Sequence, residues 1–187
     1  MFWLDSIRLR LGGPQTRRKA IESLTAAGKL PSLNCLVTTL RDPDPHVRCA
    51  ATRALAAINE ELSVRARMAA LADANSEVRA TAAATLREVQ DPERIQPLLK
   101  SARDSAATVR LAAIEAMGME PNPLVTETLL DSLQDPDARV RLAVTLTSRL
   151  EDMLHVLDEP TVGQHPADVA RLLPALRRLA GPVVYVE

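Results

Sequence analysis

Aromatic residues are nearly absent from this chain. Its 187 residues include one phenylalanine, one tryptophan and one tyrosine. These lie close to the two ends of the sequence, as Phe2, Trp3 and Tyr185. Because compact globular domains usually bury several aromatic rings, this composition disfavours an ordinary globule. Alanine and leucine fill the apolar positions instead, which favours closely packed helices.

The chain also lacks a strong net charge, a cysteine framework and long apolar runs. A formal net charge of −1 gives no electrostatic reason to expect a nucleic-acid partner. The two cysteines, Cys35 and Cys49, have neither metal-binding nor redox spacing. Charged residues interrupt residues 1–12, so this segment fits neither a signal peptide nor a membrane span. We therefore expect a cytoplasmic protein without stable membrane insertion.

What the sequence does contain is a repeat with a period of 31 residues. In each unit a valine is followed directly by an arginine, and an aspartate stands five positions before the valine. The valines are Val47, Val78, Val109 and Val140; the arginines are Arg48, Arg79, Arg110 and Arg141; the aspartates are Asp42, Asp73, Asp104 and Asp135. Repeats of this length are supersecondary units that bury their apolar faces only against neighbouring units.

Each unit is predicted to form two helices. Around Val47 the first helix has the apolar spacing i, i+3, i+4, i+7 from Leu33 to Leu40, and the second runs from Val47 to Ile58. Between them, Asp44 suits an N-cap and Pro45 a first helical turn. The predicted repeats cover residues 31–58, 62–89, 92–119 and 123–150.

The pattern weakens at both ends. Thr16 and Arg17 lie one period before Val47 and Arg48, which predicts a degenerate first repeat over residues 1–28. After residue 150 the motif is lost, and residues 151–187 are predicted to form a capping helix and an extended tail. Val183 to Val186 have the composition of a strand but no evident strand partner in the sequence. This segment fits either a free tail or the start of a further domain.

The spacing of Asp, Val and Arg, with a proline near the start of first helices, resembles HEAT repeats, in particular the short bacterial and phycobilin-lyase-like variety. The resemblance implies an all-α fold, a right-handed α-solenoid of stacked antiparallel helix pairs. Four clear repeats would lie between degenerate N-terminal and C-terminal caps. It also implies that the repeated aspartates and arginines form a hydrogen-bonded ladder along the turns. We therefore interpret the arginine row as structural rather than as a phosphate-binding track.

In HEAT arrays the second helices usually line the concave side, which makes this face the candidate partner surface. Positions two, five, six and nine residues after each valine lie opposite the predicted buried stripe, and they are mostly small or apolar. Either a protein partner or residues 151–187 would cover such a face. The candidate partner-binding residues are Cys49, Thr52, Arg53, Arg87, Leu111, Ile114, Leu142, Thr145, Leu146 and Arg149.

We expect a non-enzymatic scaffold that binds a protein and needs no cofactor or metal. The three histidines, His46, His155 and His165, do not form the paired His-Glu steps of HEAT-like di-iron hydroxylases. No nucleophile elbow or glycine-rich loop is present. One alternative is a phycobilin-lyase-like subunit that binds a tetrapyrrole. A second is a nucleic-acid-binding HEAT-like protein, which the near-zero net charge disfavours.

Overall fold

The computed structural model describes residues 12–118 and 120–147, together with the backbone of residues 155–158 and 183–186. The chain divides into two compact units, Met1–Met117 and Gly118–Glu187. Each is described separately below. Nine α-helices and one short 3₁₀-helix occur in the described ranges.

The first unit consists of helix pairs in the predicted order. Its helices are α1 (Pro14–Ala26), α2 (Leu33–Thr39), α3 (Pro45–Ala56), α4 (Glu61–Ala70), α5 (Ser76–Thr85), the 3₁₀-helix η1 (Pro92–Arg94), α6 (Ile95–Ser101) and α7 (Ala107–Met117). The predicted second helix of the degenerate repeat corresponds to α1. Its predicted first helix, which would include Leu4 and Ile7, lies outside the described residues.

The repeated aspartate shapes the turn between the two helices of a repeat. Asp42 Oδ1 accepts a hydrogen bond from the backbone N–H of Asp44 at 2.9 Å. Asp73 accepts the equivalent bond from Asn75 at 2.8 Å. The residue two positions after the repeated aspartate caps the second helix: Asp44 Oδ1 accepts hydrogen bonds from the N–H groups of His46 and Val47. An aspartate at this position therefore bends the chain and leads it directly into a capped helix.

The second helices form the centre of the first unit. Helix α1 packs against α3, α3 against α5, and α5 against α7, while the first helices α2, α4 and α6 pack beside them. The repeated valines Val47, Val78 and Val109 are each 0% exposed. Alanines such as Ala51, Ala54 and Ala82 surround them, so neighbouring helices approach closely.

Within its described residues, the second unit contains one helix pair and a small sheet. Helix α8 (Pro123–Ser132) packs against α9 (Ala138–Thr147). Asn122 caps α8 by accepting a hydrogen bond from the N–H of Leu124. Val125 and Val140, each 1% exposed, belong to its buried core.

The two strands correct one interpretation of the sequence. Strands β1 (His155–Asp158) and β2 (Val183–Val186) pair in parallel, with His155 opposite Val183 and Asp158 opposite Val186. The segment 183–186 therefore has the strand partner that the sequence did not reveal. Sequence pattern alone does not reveal this pairing, because the two segments lie far apart in sequence and β1 is only four residues long. The predicted capping helix within residues 167–179 lies outside the described residues.

Candidate functional site

The arginine row makes paired hydrogen bonds with aspartates of the following repeat. Arg48 Nε donates to Asp73 Oδ2 at 2.8 Å, and Arg48 Nη2 donates to Asp73 Oδ1 at 2.8 Å. Arg79 repeats this two-point contact with Asp104 at the same two distances. The four side chains are only 13–15% exposed. Paired, parallel hydrogen bonds of this kind are the strongest that arginine makes with a carboxylate.

The remaining arm of each guanidinium binds the turn of its own repeat. Nη1 donates to the backbone carbonyl of the repeated aspartate, from Arg48 to Asp42 at 2.7 Å and from Arg79 to Asp73 at 2.8 Å. The same bond is present in Arg110 and Arg141. An arginine therefore contacts its own aspartate through the backbone and the next repeat's aspartate through the carboxylate. The pairing runs between repeats rather than inside one.

The ladder begins one step earlier than the sequence analysis placed it. Arg17 donates to Asp42 through Nε at 2.7 Å and through Nη2 at 2.8 Å. The degenerate first repeat has no aspartate at the motif position, since Leu11 lies one period before Asp42. The arginine alone suffices, since its carboxylate partner comes from the next repeat. The signal was present in the sequence, because Arg17 precedes Arg48 by one period.

These contacts keep both members of each pair charged. Burial raises the pKa of Asp73, but hydrogen bonds from Arg48 and from the N–H of Asn75 hold it below its usual value overall. The hydrogen bond from Arg79 is the largest influence that lowers the pKa of Asp104. The pKa of each arginine is raised, chiefly by its aspartate partner. With their donors engaged, Arg48 and Arg79 are poorly placed to bind phosphate.

Three of the predicted partner-binding residues are buried. Cys49, Thr52 and Ile114 are at most 1% exposed. They lie on flanks of α3 and α7 that meet neighbouring second helices, because these helices pack side by side. Thr52 Oγ1 also donates to the carbonyl of Arg48 within its own helix. In this structure these three predicted residues are therefore not accessible to a partner.

The other predicted residues within the described ranges are either exposed or half-buried. Arg53 and Arg87 are exposed, and Leu111 in α7 is half-buried. In α9 of the second unit, Leu142, Thr145 and Leu146 are half-buried. Arg149 lies outside the described residues. The accessible surface of the second helices is thus centred on the position six residues after each valine, which is Arg53, Ala84 or Glu115 in successive repeats and exposed in each.

The cysteine on a second helix is not placed for nucleophilic chemistry. Thr81 Oγ1 lies 3.7 Å from Cys49 Sγ as a hydrogen-bond donor. Burial raises the pKa of the Cys49 thiol, and a protonated thiol is a weak nucleophile. Among the described residues, no group of three histidine, cysteine or acidic side chains is arranged to hold a metal ion.

A second site, which the sequence analysis missed, lies between two helix connections of the first unit. A pocket of about 510 Å³ is lined by Ile58, Glu60, Val64, Arg67 and eight further residues from α3 to the segment before η1. Arg67 lies on α4 and is 3% exposed. Glu60 and Glu88 lie at the exposed rim.

Together, these features define an all-α helical-repeat protein of the solenoid class, with repeats joined by a charged ladder. The family model for HEAT repeats matches residues 8–66 and 64–148, which is most of the chain. The chain therefore belongs to the HEAT repeat family. No curated protein was found to match it. In the part of the chain that the structure describes, no helix is long and apolar enough to cross a membrane.

Several solved structures share the fold. The complex of CpcE and CpcF of phycocyanin lyase from Nostoc sp. PCC7120 is 22% identical, with a TM-score of 0.60, over 78% of this chain and 95% of that one. A designed armadillo repeat protein in complex with the peptide (KR)4 is 20% identical, with a TM-score of 0.53, over 94% of this chain and 90% of that one. At these identities the likeness concerns the fold alone.

Proposed function

We propose that this protein is a non-enzymatic scaffold that binds a protein partner across its second helices. The observation that carries the proposal is the side-by-side packing of α3, α5 and α7, which leaves a row of exposed positions on regular helices. Arg53, Ala84 and Glu115 occupy equivalent places in that row. Because the ladder fixes each repeat on the next, the row is organised before a partner arrives, which reduces the entropy lost on binding.

The chemistry of this row favours a protein over a polyanion. Its three positions carry a basic, a small and an acidic side chain, and the half-buried Leu111 lies on the same helices. A surface that mixes apolar, small and oppositely charged groups is typical of protein interfaces. A nucleic-acid site would instead require an excess of basic residues. The likeness to the phycocyanin lyase complex is one of fold, so it does not favour tetrapyrrole binding over protein binding.

The test uses two alanines in matched places. Ala84 is the ninth residue of the ten-residue helix α5, on the second-helix row, and Ala69 is the ninth residue of the ten-residue first helix α4. Both are exposed, so Ala84→Arg and Ala69→Arg add the same charge and bulk on different surfaces. Proteins captured from a lysate of the source organism would be compared by quantitative mass spectrometry.

We expect a protein that is recovered with the parent chain and with Ala69→Arg, and is depleted at least tenfold with Ala84→Arg. Equal recovery by the two variants would contradict binding on the second-helix row. Thermal melting of both variants first checks that the fold is intact.

A further inference from the structure

Arg67 breaks the repeat at a position that otherwise holds a core leucine. The residues one period apart at this place in the first helices are Leu36, Arg67, Leu98 and Leu129. The three leucines are between 0% and 9% exposed, and Arg67 is buried equally well at 3%. A charged group in the place of a core apolar residue is a local conflict of the kind that proteins tolerate mainly at functional sites.

The guanidinium of Arg67 is buried without an acidic partner. Nη1 donates to the carbonyl of Thr85 at 2.6 Å, and Nε makes a long contact of 3.4 Å with the carbonyl of Ser63. No carboxylate among the described residues pairs with Arg67, and no acceptor in those ranges binds Nη2. Burial lowers the pKa of Arg67, and no acidic neighbour opposes that shift. Arg17, Arg48 and Arg79 differ, because each has an aspartate to balance its charge.

Arg67 is one of the residues that line the 510 Å³ pocket, and it is the buried cation of that lining. That volume lies within the range of pockets that hold small molecules. The rim of the pocket is acidic, with Glu60, Glu61, Glu88 and Asp91 among its lining residues. An unpaired buried cation below an acidic rim is a specific arrangement of charge, with one positive group inside and negative groups outside.

Two of the four rim carboxylates are available. Glu61 already pairs with Arg65 at 2.6 Å, and Asp91 caps η1 by accepting from the N–H of Glu93. Glu60 and Glu88 have neither a side-chain hydrogen bond nor an ion pair within the described ranges. The site therefore presents one cation and two free anions. A polyanion such as a phosphate group would be repelled by the rim, and a simple polycation would be repelled by Arg67.

The geometry points to a binding site for a basic amino acid, whose carboxylate would bind Arg67 and whose ammonium and cationic side chain would meet Glu60 and Glu88. The charges then match one for one. The same chemistry is offered in part by an arginine or lysine at the C-terminus of a polypeptide, which retains the carboxylate and the side-chain cation. This site is separate from the second-helix row, and its residues are not those changed in the test of the proposed scaffold.

The first experiment compares probes by isothermal titration with the full chain at low salt. The probes are free L-arginine, agmatine (the same molecule without the carboxylate), and a short peptide ending in arginine with a free or an amidated C-terminus. We expect L-arginine to bind with a Kd below about 1 mM and agmatine at least tenfold more weakly. Tighter binding of the free-acid peptide than of L-arginine would identify a protein terminus as the source of the same chemistry. If neither carboxylate-bearing probe binds, or agmatine binds as well as L-arginine, the proposal is overturned.

The second experiment uses Arg67→Leu, which restores the residue that three other repeats carry. We expect this variant to melt at or above the temperature of the parent chain and to bind L-arginine at least tenfold more weakly. Unchanged binding would overturn the proposal. The double variant Glu60→Gln/Glu88→Gln gives an independent readout that leaves Arg67 in place, and it should also lose at least tenfold in affinity. Glu22→Gln/Glu127→Gln, at two exposed positions outside the pocket, is the matched control and should bind as the parent chain does.

Discussion

The ladder arginines and Arg67, all in the first unit, have opposite kinds of partner. Arg48 and Arg79 each donate two hydrogen bonds to an aspartate of the next repeat. Arg67 is more deeply buried, yet it has only backbone carbonyls as partners. Repetition explains the difference. An arginine that returns every 31 residues with an aspartate joins repeats, whereas Arg67 stands in place of a leucine and binds the carbonyl of Thr85, the last residue of α5.

The presence or absence of a carboxylate partner within the fold distinguishes a structural buried charge from one available for function. Burying an unpaired ion costs several kcal/mol, and a good carboxylate partner offsets much of that cost. The ladder arginines have that offset inside the fold. Arg67 does not, so its partner is expected to come from outside the chain. Deviations from the repeat register are therefore as informative as the repeat itself.

The largest expected effect comes from placing an arginine at the equivalent position of the next repeat, which does not line the described pocket. Leu98 is 0% exposed and occupies the register position of Arg67 in the next repeat. Leu98→Arg should lower the free energy of unfolding by about 3–5 kcal/mol, because the new charge is buried without a partner. Urea denaturation would measure the loss. Leu62→Arg, at a leucine that is 46% exposed, is the control and should change stability by less than about 1 kcal/mol. A small loss at Leu98 would mean that this register accepts arginine anywhere, and Arg67 would lose its significance.

The second-largest loss in the free energy of unfolding is expected from replacing an arginine of the ladder. Arg79→Ala removes the two bonds to Asp104 and the bond to the carbonyl of Asp73. It leaves a largely buried carboxylate without its cation. We expect a loss of about 1–3 kcal/mol in the free energy of unfolding. Arg87→Ala, at an exposed arginine, should cost less than about 0.5 kcal/mol. Equal stability of the two variants would show that the ladder does not hold the repeats together.

The smallest expected effect is the pH dependence of the stability lost in Arg79→Ala. The pKa of Asp104 in the folded chain is held below its ordinary value of 3.8, mainly by the hydrogen bond from Arg79. A carboxylate with a lowered pKa stabilises the fold above its unfolded pKa, and that stabilisation disappears as the pH falls through the folded pKa. The stability gap between the parent chain and Arg79→Ala should therefore narrow as the pH falls below about 4. Denaturation curves recorded from pH 7 downward would show it, and a constant gap would assign the loss to packing rather than charge.

The sequence predicted the repeat, the helices and the position of the ladder because these depend on local spacing. Val47 and its equivalents are buried, and α3 begins at Pro45 as the Asp-Pro pattern indicates. The direction of the ladder was not predictable from spacing inside one unit. An arginine has its own aspartate six residues before it and the next one 25 residues after it. Only the packing of neighbouring repeats shows that the later carboxylate is the one within reach.

The candidate partner surface was predicted less well, for a related reason. A helical wheel of α3 places Thr52 and Cys49 opposite the apolar stripe, but α1 and α5 both pack against this helix, and both residues are buried. A single-helix pattern contains no information about how many neighbours a helix has. Arg67, in contrast, was visible in the sequence as the one departure from leucine at this position in the four clear repeats, and comparing these repeats with one another would have found it.

The most direct test applies one substitution to both kinds of arginine. Arg48→Leu and Arg67→Leu each replace a buried guanidinium by the same apolar side chain, and the free energy of unfolding would be measured for both by urea denaturation. We expect Arg48→Leu to lower it by about 1–3 kcal/mol, because Asp73 loses its cation. We expect Arg67→Leu to leave it unchanged or to raise it by up to about 1 kcal/mol, because an unpaired charge is removed. If both substitutions lowered stability by the same amount, Arg67 would be a structural residue like Arg48, and the distinction between the two would fail.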